Sequence, residues 1–194
     1  MQQAESAANS FNSVLADLTS IREYHSKSLY NACFNGDENK VRQILVGARA
    51  DIDYTTQNTG ATAAYIAAYK GHVNCLSLLS QHEADLNKQA NDGFAPIHVA
   101  CSKGRVDCTA LLLGKVDVNS ASSKRKATPA FLACLFGHEF MLQLLILHNA
   151  GNTPITFMWY KPIPSPPYYT LMQHWTNAMI KVSLQLTLRL IKDM

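Results

Sequence analysis

The chain has 194 residues, a net charge of +3 and an apolar share of 47%, which suits one sizeable globular domain but gives too little charge to indicate nucleic-acid binding. No apolar stretch of about 18 residues and no basic start followed by an apolar segment occur, so we expect neither a membrane-spanning helix nor a secretory signal. Five cysteines, an odd number, favour a reducing compartment, the cytosol or the nucleus.

The first predicted element is an amphipathic helix within residues 1–27. Apolar residues recur there at helical spacing with polar residues between them. These apolar residues are Phe11, Val14, Leu15, Leu18, Ile21 and Tyr24. We expect the helix to cap the N-terminal end of the domain that follows. A helix that binds a partner is the alternative.

An internal repeat occupies residues 28–152. Gly71, Gly104 and Gly137 are 33 residues apart, and Gly36 precedes the first of them by 35 residues. An alanine stands four residues before each glycine, at Ala32, Ala67, Ala100 and Ala133. The pattern predicts about four pairs of short helices, each joined by a glycine turn. Because one pair cannot bury both apolar faces alone, neighbouring pairs should stack into one core.

The repeats resemble those of the ankyrin family. Thr128-Pro129-Ala130-Phe131 and Ala95-Pro96-Ile97-His98 are similar to the Thr-Pro-Leu-His that opens such a repeat. Gly71-His72 and Gly137-His138 match the Gly-His between the two helices. Ala84-Asp85-Leu86-Asn87 and Val116-Asp117-Val118-Asn119 are similar to the Ala-Asp-Val-Asn that leads into the hairpin.

This resemblance implies an all-α solenoid of about four helix-pair repeats that binds a protein partner. The sequence does not name that partner. It contains no glycine-rich phosphate loop with a lysine and no Gly-x-Ser-x-Gly, so we predict no catalytic residue, no small-molecule substrate and no cofactor. A truncated or regulatory fragment of a larger repeat protein is the alternative.

The resemblance also places partner-binding residues on the hairpin tips and on the exposed side of the inner helices. By register, the tip residues are Asn58, Thr59, Asn91, Asp92, Phe94, Lys124 and Arg125. The inner-helix residues are Phe34, Asn35, Tyr69, Lys70, Ser102, Lys103, Leu135 and Phe136. Exposed aromatic residues beside lysines are typical binding anchors. For Leu135 and Phe136 the alternative is that the tail covers them. The basic run at 124–126 is either a contact for an acidic partner or an import receptor, or simply a solvated hairpin tip.

Cysteine and histidine do not predict a metal site, because their places follow the repeat. Cys33, Cys101 and Cys134 share one repeat position, and Cys75 and Cys108 share another. Equivalent positions in stacked repeats lie about 8–10 Å apart, beyond the reach of a disulfide. Zinc-site spacings are absent. We therefore expect five free thiols and no bound metal.

Two hairpin asparagines are candidate modification sites. Asn87 and Asn119 each follow an Asp and an aliphatic residue, with a leucine eight residues earlier. This resembles the pattern in which an oxygen-sensing dioxygenase hydroxylates the hairpin asparagine of animal ankyrin repeats. The alternative is that both asparagines only stabilise the hairpin turn through their side chains.

Composition changes near residue 152, so residues 153–194 are predicted to form a divergent tail. Five of the seven prolines lie between residues 154 and 167, which predicts an extended or irregular chain. A basic residue followed by Pro-x-x-Pro resembles an SH3 ligand, and Pro-Pro-x-Tyr resembles a WW ligand. The residues concerned are Lys161, Pro164, Pro166, Pro167 and Tyr169. Residues 181–192 alternate as a strand does, and such a strand must pair, refold as a helix against the last repeat, or stay an exposed edge.

Overall fold

A computed structural model describes the backbone of residues 2–47 and 49–148, and the side chains of these residues from Val14 onward. Within this part the chain forms eight helices and no strand, which confirms the predicted all-α architecture. The helices are α1 (Gln2–Asn35), α2 (Glu38–Val46), α3 (Ala63–Lys70), α4 (Val73–Gln81), α5 (Pro96–Ser102), α6 (Val106–Leu112), α7 (Pro129–Leu135) and α8 (Glu139–Leu147). The predicted tail lies outside the described residues. None of the described helices is both long and apolar enough to cross a membrane.

Consecutive helices pack as four pairs, one pair in each predicted repeat. The inner helices α1, α3, α5 and α7 contact one another in chain order. The outer helices α2, α4, α6 and α8 form a second layer in the same order. Each pair therefore contacts chiefly its neighbours, as expected of a solenoid.

Two of the inner helices, α3 and α7, begin where a threonine side chain caps a first-turn amide group. The Thr62 hydroxyl accepts the N–H of Tyr65 at 3.1 Å, and the Thr128 hydroxyl accepts the N–H of Phe131 at 3.2 Å. Such caps each stabilise a helix by about 1 kcal/mol. Ala95 has no hydroxyl at the equivalent place. There the Ala95 N–H donates instead to His98 Nδ1 at 3.3 Å.

Small buried residues let the inner helices approach one another. Ala32, Ala67, Ala100 and Ala133 are buried, with at most 2% of their surface exposed. Between the two layers lie larger aliphatic side chains that are also fully buried, including Leu76, Leu79, Leu112 and Leu145. The core is therefore continuous from the first pair to the fourth, as the repeat pattern predicted.

The N-terminal helix differs from its predicted range because it does not end at residue 27. Helix α1 continues into the first repeat and serves as its inner helix, with Leu29 and Cys33 in the core. At 1.5 Å per residue, its 34 residues extend far beyond α2, which has nine. Val14 and Leu18 consequently stay 56% and 57% exposed, and Ile21 and Tyr24 are exposed as well. A partner-binding role for this stretch stays a prediction.

Enlarging a residue between inner helices should destabilise the whole stack. Ala100 is 0% exposed, so Ala100→Leu should lower the free energy of unfolding by about 1–3 kcal/mol. Urea unfolding followed by circular dichroism measures this. Ala110→Leu makes the same change at an exposed position of α6 and should have little effect. Equal stability of the two variants would contradict the assigned register.

Two glycines, one in a hairpin tip (Gly93) and one in the turn after α6 (Gly114), provide a second test of how closely the hairpin tips approach. Gly93 and Gly114 have φ of +85° and +82°, so alanine is strained at both. A Cβ at Gly93 would lie 2.8 Å from the Lys124 backbone nitrogen, whereas one at Gly114 would meet nothing within 4 Å. Both alanine variants should lose about 1–2 kcal/mol of stability from backbone strain, and Gly93→Ala should lose more. Thermal unfolding of the two variants checks the order, and a reversed order would refute the close approach of the tips.

Candidate functional site

Three hairpins project from the connections between successive helix pairs. Each turn is closed by a backbone hydrogen bond, from Thr56 to Ala61 at 3.1 Å, from Ala90 to Phe94 at 3.0 Å and from Ser122 to Ala127 at 2.9 Å. Neighbouring tips are also joined, because the Asn91 N–H donates to the Thr59 carbonyl at 2.8 Å and the Ser123 N–H to the Gly93 carbonyl at 3.2 Å. The tips thus form a continuous row. With the exposed side of the inner helices they form what we call the inner surface.

A groove of about 470 Å³ lies on the inner surface between the tips and helices α1 and α3. Tyr30, Tyr65, Ile66 and Tyr69 line its helix side. Its tip side is formed by Thr59, Ala61, Ala90, Asn91 and Asp92. A mostly apolar groove with a few polar atoms at its rim is the usual form of a binding site.

One hydrogen bond joins the two sides of the groove. The Tyr65 hydroxyl donates to Asp92 Oδ2 at 2.7 Å, while Asp92 Oδ1 accepts the Phe94 N–H at 2.9 Å. Burial raises the pKa of Tyr65, and its hydrogen bond to Asp92 raises that pKa further. The phenol therefore stays protonated and holds the second tip against helix α3.

Cationic side chains lie over aromatic rings across three repeat boundaries. Lys70 Nζ is 4.1 Å from the centre of the Phe34 ring, and Lys103 Nζ is 5.0 Å from that of Tyr69. Arg125 Cζ is 5.7 Å from the centre of the Phe94 ring. In each case the cation belongs to the repeat after the aromatic residue. Such contacts contribute about 0.5–1 kcal/mol at exposed sites.

Side chains after the helix turns reach back to the preceding repeat. His72 Nε2 lies 3.3 Å from the Phe34 carbonyl, and His138 Nε2 lies 3.1 Å from the Ser102 carbonyl. At the boundary between them, Arg105 Nε donates to the Tyr69 carbonyl at 3.3 Å. These contacts cap the ends of the inner helices, which gives the Gly-His motif a structural role. The described residues contain no group of three or more His, Cys, Asp or Glu placed to hold a metal ion.

The family model for ankyrin repeats, in three copies, matches residues 29–122. This part of the chain is an ankyrin-repeat domain. Helices α7 and α8 continue the same packing after the matched segment. Ankyrin repeats are generally protein–protein interaction modules and typically have no enzymatic activity.

The structure brings many of the predicted binding residues of the ankyrin domain together. Thr59, Tyr69, Asn91 and Asp92 line the groove. Other predicted residues form the three cation–aromatic pairs: Phe34, Lys70, Lys103, Phe94 and Arg125. The Asn58 carbonyl accepts Asn91 Nδ2 at 3.3 Å. Lys124 is exposed at the last tip.

Other predicted residues lie apart from the groove. The Ser102 hydroxyl donates to the Val99 carbonyl within its own helix at 3.0 Å. Leu135 and Phe136 are 39% and 56% exposed at the end of α7 and do not line the groove. The tail motif, from Lys161 to Tyr169, lies outside the described residues, so its recruitment of SH3 or WW domains stays a prediction.

Tyr30 and Tyr65 line the groove but are not among the residues that the repeat register predicts for binding. Both stand six residues before the turn glycine of their repeat, where the third repeat has His98. His98 is fully buried, whereas Tyr30 and Tyr65 are half-buried, so this position is enclosed in one ankyrin repeat and partly open in two others. The sequence did contain a signal for these groove residues, namely a tyrosine, with its polar hydroxyl, at a position that the third repeat uses for the core.

The buried histidine should make stability depend on pH. Burial lowers the pKa of His98 below 6.5, and Nδ1 already accepts the Ala95 N–H while Nε2 faces the Ser120 carbonyl at 3.0 Å. The unfolded chain therefore takes up this proton at higher pH than the folded chain does. The stabilisation from neutral His98 is complete above the pKa that this residue has in the unfolded chain. It is lost as the pH falls through the lower pKa that His98 has in the folded chain.

We expect the unfolding temperature of the wild type to decrease as the pH is lowered from about 8 to about 5. His98→Phe, which copies the residue of the fourth repeat, should lose stability at neutral pH but show a smaller pH dependence. Scanning calorimetry across that range measures both slopes. Parallel pH profiles would show that His98 does not titrate as its burial requires.

Thiol reactivity tests the cysteine assignments. All five cysteines are free; Cys33, Cys75, Cys101 and Cys108 are buried, and Cys134 is half-buried. Burial raises the pKa of Cys101 to about 12 and that of Cys108 to about 11, so these two thiols form little thiolate near neutral pH. Ellman's reagent should modify Cys134 first in the folded protein and all five after denaturation. A lower final count, or stoichiometric zinc by elemental analysis, would contradict the expected metal-free thiols.

Proposed function

We propose that this chain is an adaptor that holds a protein partner on its inner surface, with the tyrosine-lined groove as the main contact. The observation that supports this proposal is that Tyr30, Tyr65 and Tyr69, which are only partly buried against the core, line a groove of about 470 Å³. Large aromatic residues that stay partly exposed are typical anchors of protein interfaces.

The neighbouring side chains extend this surface beyond a pocket. Phe34 and Lys70 lie at the boundary between the first two repeats, and Phe94 and Arg125 at that between the last two. A partner that reaches all of them must cross several repeats, which favours a polypeptide over a small molecule. The free, mostly buried thiols support a reducing compartment, so we place this interaction in the cytosol or the nucleus.

Site-directed photocrosslinking tests the proposal in the cell of origin. Benzoylphenylalanine replaces Tyr69 in one variant and Gln81, which is exposed on the outer helix α4, in the matched control. We expect a discrete protein adduct from position 69 that is lost when Tyr65→Ala is added. Adducts from position 81 alone, or equal adducts from both positions, would place the interface elsewhere.

Hydroxylation of the hairpin asparagines is a separate proposal. The Asn87 N–H donates to Asp85 Oδ1 and the Asn119 N–H to Asp117 Oδ1, both at 2.9 Å. Both asparagine residues are exposed. Peptide mass spectrometry on protein from its native cells should find one added oxygen on Asn87 or Asn119, with Asn91 as the unmodified comparison. Unmodified peptides from well-oxygenated cells would exclude the modification.

A further inference from the structure

The inner surface carries positive charge without matching acidic partners. Lys70, Lys103, Lys124 and Arg125 lie on it, and in the described residues no carboxylate lies within ion-pair distance of any of them. The ion pairs that do form in this part of the chain involve Arg22 and Lys27 of α1 and Arg42 of α2. Asp92, the acidic residue of the groove, already accepts a hydrogen bond on each oxygen.

Two of these cations are held in place before any ligand binds. Lys70 lies over Phe34 and Lys103 over Tyr69. Stacking on a ring restricts a lysine side chain but leaves its N–H donors free for an anion, because a ring face offers no strong acceptor. A carboxylate that binds such a lysine therefore meets a side chain that has less conformational entropy to lose.

The repeat spacing sets the distance between the two ammonium groups. Lys70 and Lys103 occupy equivalent places, each one residue before the turn glycine of adjacent repeats. Packed helices lie about 8–10 Å apart. In a polyproline II segment, residues three apart lie on the same side of the chain and about 9 Å from each other. Carboxylates with that spacing match the two lysines.

We propose that the partner binds as an extended acidic segment, in which two carboxylates three residues apart contact Lys70 and Lys103. A neighbouring apolar side chain of the segment enters the groove beside Tyr69, which lies both in the groove and under Lys103. This inference rests on the proposed function, since it names the chemistry of the partner at the same surface.

A single nucleic-acid strand, like an acidic peptide, binds to surfaces that combine cations with aromatic rings. It would, however, bring its phosphates close to the Asp92 carboxylate at the rim of the groove. An acidic peptide can avoid this repulsion by presenting its apolar residue there. The peptide is therefore the better match, and the nucleic acid becomes an outcome of the test.

Selection from a displayed random-peptide library on the full chain provides the test. The wild type should enrich peptides with Asp or Glu at three-residue spacing next to an apolar residue. Lys70→Glu/Lys103→Glu should weaken those peptides about tenfold or more and should enrich Lys and Arg instead. Lys40→Glu/Arg49→Glu reverses two exposed charges outside the inner surface and should keep the wild-type selection. Circular dichroism confirms that each variant is folded.

Different results of this selection would contradict the acidic ligand and the tyrosine-lined binding groove. Selected peptides that require Tyr65 and Tyr69 but show no acidic preference would overturn the acidic ligand and leave the binding groove standing. Peptides that bind equally well to Tyr65→Ala/Tyr69→Ala would overturn the groove itself. Tighter binding of an oligothymidine strand than of any selected peptide would assign the surface to nucleic acid. If the double tyrosine variant does not fold, the Lys70→Glu/Lys103→Glu variant still decides the charge preference.

Discussion

The close approach of adjacent inner helices is the constraint on which this structure depends. It requires a side chain no larger than alanine at Ala32, Ala67, Ala100 and Ala133, all of which are buried. The same approach sets the spacing of everything that projects from the helices. Tips come close enough for Asn91 to bond to Thr59, and His138 comes close enough to reach Ser102. Stability and the geometry of the inner surface therefore have one cause.

Because the groove is assembled from neighbouring repeats, its integrity follows the stability of the stack. Tyr30 comes from the first repeat, Tyr65 and Tyr69 from the second, and Asp92 from the tip that opens the third. No single repeat contains enough of these residues to form the groove alone. A change that separates two repeats should thus abolish binding even when it touches no ligand. This is why each binding variant needs a folded, stability-matched control.

Register could be predicted from the sequence because small residues and glycines mark buried and turn positions whatever the other side chains are. The same register predicted Tyr69 and Lys70 on the inner helices, where both are half-buried. It could not locate Tyr65, because one repeat position is buried as His98 and half-exposed as tyrosine, depending on the adjoining loop. The end of α1 was misplaced although a signal existed, since no Gly or Pro precedes Gly36 and nothing stops the helix at residue 27.

The series of cation–aromatic pairs on the inner helices is interrupted after the second pair, and this bounds the proposed binding surface. In the third repeat Ser102 stands where Phe34 and Tyr69 stand earlier, and in the fourth Phe136 stands where Lys70 and Lys103 stand. The boundary between α5 and α7 therefore has no aromatic ring at the first of these positions and no cation at the second. A ligand guided by charge gains nothing by extending past Lys103 along the helices. Its further contacts must come from the tip, where Arg125 lies over Phe94.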